Sequence, residues 1–219
     1  NGNYSYIDSL NEARKVLVDE LSSTFNTVAK DVKVQIEFNP NVVAEYRLIG
    51  YENRQLNRED FNNDKVDAGD VGSGKSVTAI YEITPKTTTP AVDALRYQAN
   101  KATTEGKKAN DSQELAFLKI RYKQPEGTKS ILVTQPIPKP TVITPFNKSS
   151  ETQRFATAVA GFGQLLRQSP QVNNLSYSDV VQIAQAAKGI DNTGSKGEFI
   201  QLVKNAESLA GKNTVQSPL

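Results

Sequence analysis

Pro136, Pro138, Pro140 and Pro145 recur at short intervals midway along the chain, and they limit its possible folds more than any other feature. Each proline fixes φ and removes a backbone donor, so a ladder of them is extended and semi-rigid and continues no helix. The apolar period also differs on its two sides. Before the ladder it is mostly two, the period of strands; after it, the helical period returns three times. A connector with sheet-type sequence on one side and helix-type sequence on the other predicts two layers of different kind.

On the sheet side, Val32, Val34, Ile36 and Phe38 alternate with Lys33, Gln35 and Glu37, and Asn39-Pro40 closes that strand. Ala44 to Tyr51, Val77 to Ile83, Val92 to Tyr97, Leu115 to Lys123 and Ser130 to Thr134 read as further strands, with Gln124-Pro-Glu-Gly127 as a hairpin turn. On the helix side, three Ser-x-x-[Gln/Asp/Glu] signals start helices: Ser150 with Gln153, Ser176 with Asp179, and Ser195 with Glu198. The stripes that follow are Phe155, Val159, Phe162, Leu166; then Val180, Ile183, Ala184, Ala187; then Phe199, Leu202, Val203, Ala206, Leu209. Pro170, Gly189 and Gly211 are their expected stops. At the N-terminus, Asn1 to Ile7 reads as a turn and a short strand. Asp8 or Ser9 then caps a helix whose stripe is Leu10, Ala13, Leu17 and Leu21. The predicted fold class is α+β: a β-sandwich over 32–145, an N-terminal helix, and a C-terminal three-helix bundle over 146–219 packed on the sandwich.

Composition removes most familiar chemistry. The 219 residues include no Cys, His, Met or Trp. Thiol nucleophiles, imidazole acid–base catalysis and zinc sites built from Cys or His are therefore absent. Lysines and arginines number 26 against 24 acids, a net charge of +2, so the overall field favours neither nucleic acid nor an anionic membrane. No apolar run is long enough to span a bilayer. The chain begins with Asn, which points to a removed N-terminal segment or to a piece of a longer polypeptide.

Two stretches invite a ligand. Gly69, Gly74, Lys75 and Ser76 satisfy the phosphate-loop pattern G-x-x-x-x-G-K-[ST] in Gly-Asp-Val-Gly-Ser-Gly-Lys-Ser. A phosphate loop follows a buried strand and opens a helix, whose free N–H groups meet the phosphates. Here the preceding residues 61–68 are polar and the following ones alternate as a strand, so a glycine turn entering a strand is expected. Asp60, Asp64, Asp67 and Asp70, with Glu59, make an acidic loop that suggests calcium. The EF-hand template nevertheless fails at Lys65, where its glycine belongs, and at Val71, where its bidentate Glu belongs. Lysines in 101–112 near Tyr97 suggest a nucleic-acid patch, but sparse lysines on a loop read more simply as solvated charge. Asp191-x-Thr193-x-Ser195 reads as a turn between helices. Sequons at Asn3, Asn110, Asn147 and Asn174 receive no role.

Several stretches together resemble the C-terminal part of bacterial von Willebrand factor type A domain proteins, a group of envelope lipoproteins. They are Gly2-Asn-Tyr-Ser-Tyr-Ile-Asp8, Ala29 to Pro40, Tyr46 to Arg54, Asp60-Phe61, Asp67-Ala-Gly69, Ser76 to Ile83, Leu118-Lys-Ile-Arg-Tyr-Lys123 and Phe155 to Arg167. The resemblance implies that 1–31 is the last strand and helix of a truncated type A domain and that the remainder is the C-terminal domain following it. The family's metal-dependent adhesion site would lie before Asn1, so no ligand residue carries over. The expected function is a non-catalytic interaction or scaffold module of a cell-envelope protein, supporting a metal-dependent protein-binding domain absent from this chain. It implies no cofactor here, a protein partner, and lipid anchorage through a missing N-terminus. A nucleotide-binding enzyme using Lys75 and Ser76, and a calcium-stabilised adhesion module using Asp60, Asp64, Asp67 and Asp70, are the alternatives.

Overall fold

The computed structural model describes residues 5–19, 26–51, 55–88, 113–172 and 174–213. The fold is α+β, with two antiparallel sheets and a set of helices. The strand predicted over 92–97 and the lysine-bearing segment 101–112 lie outside the described residues. The chain divides into two compact units, one of residues 26–76 and 81–143, the other of 1–25, 77–80 and 144–219.

The first unit holds the sheets. Strands β1 (Thr27–Phe38), β3 (Gly69–Gly72), β5 (Glu114–Lys123) and β6 (Ser130–Pro138) form one sheet in the order β3-β1-β5-β6, while β2 (Val43–Ile49) pairs β4 (Ile80–Pro85). β5 and β6 are the predicted hairpin, in register from Lys123↔Ser130 to Ala116↔Ile137. β1 starts at Thr27, inside the stretch assigned by resemblance to the preceding domain, because Thr27, Ala29 and Val32 pair with β3. β6 runs past its expected end through Pro136 and Pro138. It is an edge strand, where a proline forgoes an outward donor and no ladder bond.

Register assigns the faces of the large sheet. Val34, Ile36, Leu118, Ile120 and Val133 share one face, and Lys33, Gln35, Lys119, Arg121 and Leu132 share the other. At the far end of β1, Phe38 meets Tyr46 of β2 at 4.6 Å and Tyr81 of β4 at 5.3 Å between ring centroids, which joins the two sheets. The opposite, cationic face carries the segment from Arg58 to Gly69.

The second unit holds α1 (Leu10–Arg14), a π-helical turn (Lys15–Asp19), and the predicted three helices α2 (Glu151–Leu166), α3 (Tyr177–Ala186) and α4 (Ser195–Asn213). Ser150 caps α2 by accepting from Gln153 N–H at 3.2 Å. Ser176 and Asp179 form a reciprocal capping box at α3. Ser195 is not the cap of α4: it is the first helical residue. Asp191 takes that role, its carboxylate accepting from the N–H groups of Lys196 at 3.2 Å and Gly197 at 2.9 Å, after Gly194 turns the chain at φ +75°. These bonds, with Lys188 alongside, hold the Asp191 carboxyl below the ordinary range against the opposing effect of desolvation. The bundle core is Ala158, Phe162, Val180, Ala184, Ile200 and Val203. By contrast, two residues of the N-terminal stripe are uncovered, Leu10 at 86% exposed and Leu17 at 59%, while Ala13 is half-buried, and Ser5 to Asp8 form no strand.

Candidate functional site

The densest polar constellation lies where the 58–72 segment crosses the cationic face of the large sheet. Its origin is an irregularity in β1. Between Lys30 and Lys33 the register against β5 shifts, and Asp31 adopts φ +51°. Asp is among the residues that tolerate the left-handed region, and a bulge re-aims the side chains around it. The Asp31 carboxylate accepts from Lys123 Nζ at 2.6 Å and from Ala68 N–H at 3.1 Å, while Asp31 N–H donates to Asp70 Oδ1 at 3.1 Å. One residue thereby links β1, β5 and the start of β3.

Lys33 follows, and it is 3% exposed although charged. Its ammonium donates to the carbonyl of Asp60 at 3.3 Å and to the carbonyl of Asn63. Those carbonyls end a short 3-10 helix (Arg58–Asn62), whose C-terminal end favours a cation. Phe61 of the same turn is 4% exposed, and the Arg121 guanidinium lies 5.9 Å from its ring centroid. Arg121 also donates to Ser130 Oγ at 2.6 Å and to Asn62 Oδ1 at 3.2 Å. Asp64 accepts from Ser130 Oγ at 2.6 Å and Ser130 N–H at 3.3 Å, while Lys123 Nζ reaches the Asp64 carbonyl at 2.8 Å.

The acidic loop is therefore clasped by the protein's own cations. Lys33 sets its ammonium against the Asp60 and Asn63 carbonyls, and Lys123 sets its own against the Asp64 carbonyl and the Asp31 carboxylate. Asp64 and Asp70 point to Ser130 and to the Asp31 backbone, Asp67 lies beside Asp31, and Asp60 takes a bond from Asn57 Nδ2 at 3.1 Å. Among the described residues, no group of three or more acidic side chains is arranged to hold a metal ion.

The phosphate-loop pattern falls on the same crossing. Gly69 to Gly72 are β3, Lys75 N–H closes a tight turn onto Gly72 O at 3.1 Å, Gly74 takes φ +75°, and no helix follows Ser76. The geometry is that of a strand and turn, without the helix N-terminus a phosphate cradle uses.

Charge pairing also shifts protonation. The hydrogen bond from Lys123 leads in holding the Asp31 carboxyl below its ordinary value, and the bond from the Ser130 hydroxyl leads for Asp64, with Arg121 and Lys123 adding to it. The Asp31 carboxylate in turn pushes the Lys123 ammonium up. A depressed carboxyl contributes stability that is present above its unfolded value, near ~3.9, and lost as pH falls through its lower folded value. A raised lysine contributes stability present below its unfolded value, near ~10.4, and lost as pH rises through the folded one. The urea midpoint of the sheet unit is thus expected to fall below about pH 4 and again above about pH 10. Asp31→Asn with Asp64→Asn should flatten the acid limb; an unchanged limb would show that the clasp is energetically silent.

Sequence reasoning found the acids and missed their partners. Lys33, Arg121 and Lys123 sit at the polar positions of alternating strands, where they read as solvated charge, and a bulge at Asp31 leaves no mark in a period of two.

Residues 23–209 match the family model described as "Uncharacterized protein YfbK, C-terminal". Over 209 residues the chain is 50% identical to the uncharacterized protein YfbK of Escherichia coli strain K12, covering 95% of this chain and 35% of that protein. The chain thus spans about a third of the length of the curated relative it matches. No solved structure matches. A 50% identity across nearly all of the chain, and a family model spanning both the clasped sheet and the helical bundle, leave one conclusion: the chain belongs to the family of the C-terminal domain of YfbK.

Proposed function

We propose that this chain is a non-catalytic interaction and scaffold module of a larger cell-envelope protein, in which it supports a von Willebrand factor type A domain lying outside this chain. The observation that carries the reading is the N-terminal segment. Leu10 on α1 and Leu17 and Val18 on the π-helical turn are 86%, 59% and 65% exposed, apolar surface that an isolated domain normally buries. A relative of which the chain covers 35% supplies further polypeptide to cover it. The polar site fits the same role. Its cations and acids neutralise one another and brace a loop, and the Ser130 hydroxyl that donates to Asp64 also accepts from Arg121, which makes it a link in that brace.

The test uses the longer polypeptide and this chain side by side. Magnesium-dependent capture of a protein partner by the longer form, with none by this chain, is the expected result. Binding of that partner by this chain alone, whatever the metal, would defeat the reading. The alternatives have their own readouts. Titration with Mg-ATP is expected to give no saturable heat, with Lys75→Ala indistinguishable. The melting temperature is expected to be the same in calcium and in chelator, since a cation binding at a hundred times its Kd would add about 2.7 kcal/mol. A saturable heat or a calcium-dependent rise would reinstate either alternative.

A further inference from the structure

Strand β6 is the long edge of the large sheet: β5 pairs it on one side, and among the described residues no strand pairs it on the other. Its backbone groups point to those two sides in alternation. Lys139 N–H donates to Gln113 O at 2.7 Å and so points toward β5. By alternation Ile137, Gln135, Val133 and Ile131 do the same, while Ser130, Leu132, Thr134, Pro136 and Pro138 turn their groups to the free side. That outward row lacks a free donor at both ends. Ser130 N–H is taken by Asp64 Oδ2 at 3.3 Å, Pro136 has no N–H, and Pro136 O accepts from Gln135 Nε2 at 3.0 Å. Between them, Leu132 and Thr134 each present one N–H and one C=O to the outside. Val133 lies midway between these two, and the donor-less positions 130 and 136 lie equally far on either side of it. The side chains from Ser130 to Pro138 are uncharged, and Ile131, Leu132 and Val133 are 40%, 48% and 46% exposed.

We propose that β6 pairs antiparallel with the β6 of a second copy of this chain, about a two-fold axis at Val133. This pairing is independent of the module reading above. In that register Leu132 N–H donates to O of the partner's Thr134, N–H of the partner's Thr134 donates to Leu132 O, and the two-fold repeats both bonds. Val133 faces the partner's Val133 in a non-hydrogen-bonded pair, the closer kind, where branched side chains pack well. Ser130 falls opposite the partner's Pro136, so the position whose N–H is already bonded meets the position that has none. This symmetry selects a copy as the occupant. The open groups and the closed ones are each arranged evenly about one residue, so the edge is complementary to itself. Uncharged side chains also give a foreign strand no charge to be selected by, and they bring no like charges together across the axis. Edges are ordinarily blunted by short length, lysines or prolines. β3, the opposite edge, is short at Gly69–Gly72, whereas β6 keeps its prolines beyond Thr134 and leaves Leu132 to Thr134 open. The ladder is short, so the association is weak and depends on concentration.

Sedimentation velocity of this chain between about 10 μM and about 1 mM tests the pairing, with amide hydrogen exchange read residue by residue over the same range. The mass is expected to rise from that of one chain, 24.0 kDa, toward that of two. The amides of Leu132 and Thr134 should exchange about tenfold more slowly at the top of the range than at the bottom, while those of Ile131 and Val133, which face β5, change less. Val133→Lys and Val133→Glu each set like charges directly across the axis and should stay monomeric. An equimolar mixture of the two should associate again, because opposite charges then meet. Thr134→Pro removes an outward donor and no bond to β5, and should weaken association about tenfold or more. A constant single-chain mass overturns the proposal, as does association that survives Val133→Lys or a mixture that stays monomeric. Protection of Leu132 and Thr134 that dilution does not change also overturns it, by assigning the edge to a strand of the same chain. Thr134→Pro decides alone if a Val133 variant does not fold: undiminished association then overturns the pairing.

Discussion

Replacing Phe162 by alanine is expected to unfold the helical unit at a markedly lower temperature. Phe162 is 6% exposed, lies edge-on to Phe199 at 5.6 Å and to Tyr177 at 6.2 Å, and packs among Ala158, Val180, Ala184, Ile200 and Val203. It therefore touches all three helices, so truncation removes apolar contact from each at once and leaves a cavity. Changes of this kind in well-packed cores cost about 3–5 kcal/mol. For a unit of this size each kcal/mol is worth roughly 4–8 °C, so a drop of roughly 15 °C or more is expected. Thermal melting followed by far-ultraviolet circular dichroism at 222 nm, where the helices dominate the signal, reports it directly. Phe162→Leu should keep most of the stability, because it retains much of the volume. A Phe162→Ala melt that coincides with the parent would mean that the bundle is not held by this core.

Lys33→Met is the second large effect, and it belongs to the sheet unit. The substitution keeps a long unbranched side chain in a site that is 3% exposed but removes the donor to the carbonyls of Asp60 and Asn63. Both carbonyls keep a backbone donor, Asp60 O from Asn63 N–H at 3.1 Å and Asn63 O from Val66 N–H at 3.2 Å, so what is lost is two charge-assisted hydrogen bonds, about 1.5–3 kcal/mol each. The thioether recovers part of this through packing, so the expected net loss is about 2–4 kcal/mol. The loss should also be local. With the end of the 58–62 turn released, Arg58 and Lys65 should become much faster sites of tryptic cleavage, while β5 and β6 keep their register. The urea midpoint and the rate of cleavage at those two bonds are the measurements. An unchanged midpoint with unchanged cleavage would mean that Phe61 and the Asp31–Lys123 pair hold the segment without Lys33.

The two substitutions probe different things about how the chain encodes its fold. The bundle was legible because its signals are local. A serine before the first turn, an acceptor three residues on and an apolar residue on each turn are read within one helix, and the structure has Ser150 and the Ser176–Asp179 box at work. The start of α4 shows the limit. Ser195 and Glu198 have the spacing, but Asp191 reaches the backbone first from the preceding turn, at a separation the capping pattern does not search. Strands β1, β2, β4, β5 and β6 were legible from alternation; β3 was not, because Gly69–Gly72 has no alternation and read as a turn, and strand ends were not, because an end depends on a partner. Thr27 to Ala29 became strand when β3 came alongside, and Pro136 to Pro138 stayed in β6 because β6 is at the edge.

The polar site was legible by half. The acids of 59–70 stand out in the sequence, and their charge suggested a metal. What answers them comes from elsewhere in the chain: Lys33 from β1, Arg121 and Lys123 from β5, Ser130 from β6. Those positions are remote in sequence and adjacent in the sheet, so no window of sequence contains the clasp.

The sequence by itself determined the class of this protein: strands before the proline ladder, capped helices after it, no thiol or imidazole chemistry, and a family likeness along nearly the whole chain. Those features are set by backbone chemistry and by side-chain period, which act over a few residues. Only the tertiary structure decided that Lys33 is buried against backbone carbonyls, that Asp31 turns left-handed at a bulge, and that Leu10, Leu17, Leu202 and Leu209 are exposed. An apolar stripe shows that a face must be covered. Whether this chain covers it depends on which surfaces the folded chain brings together.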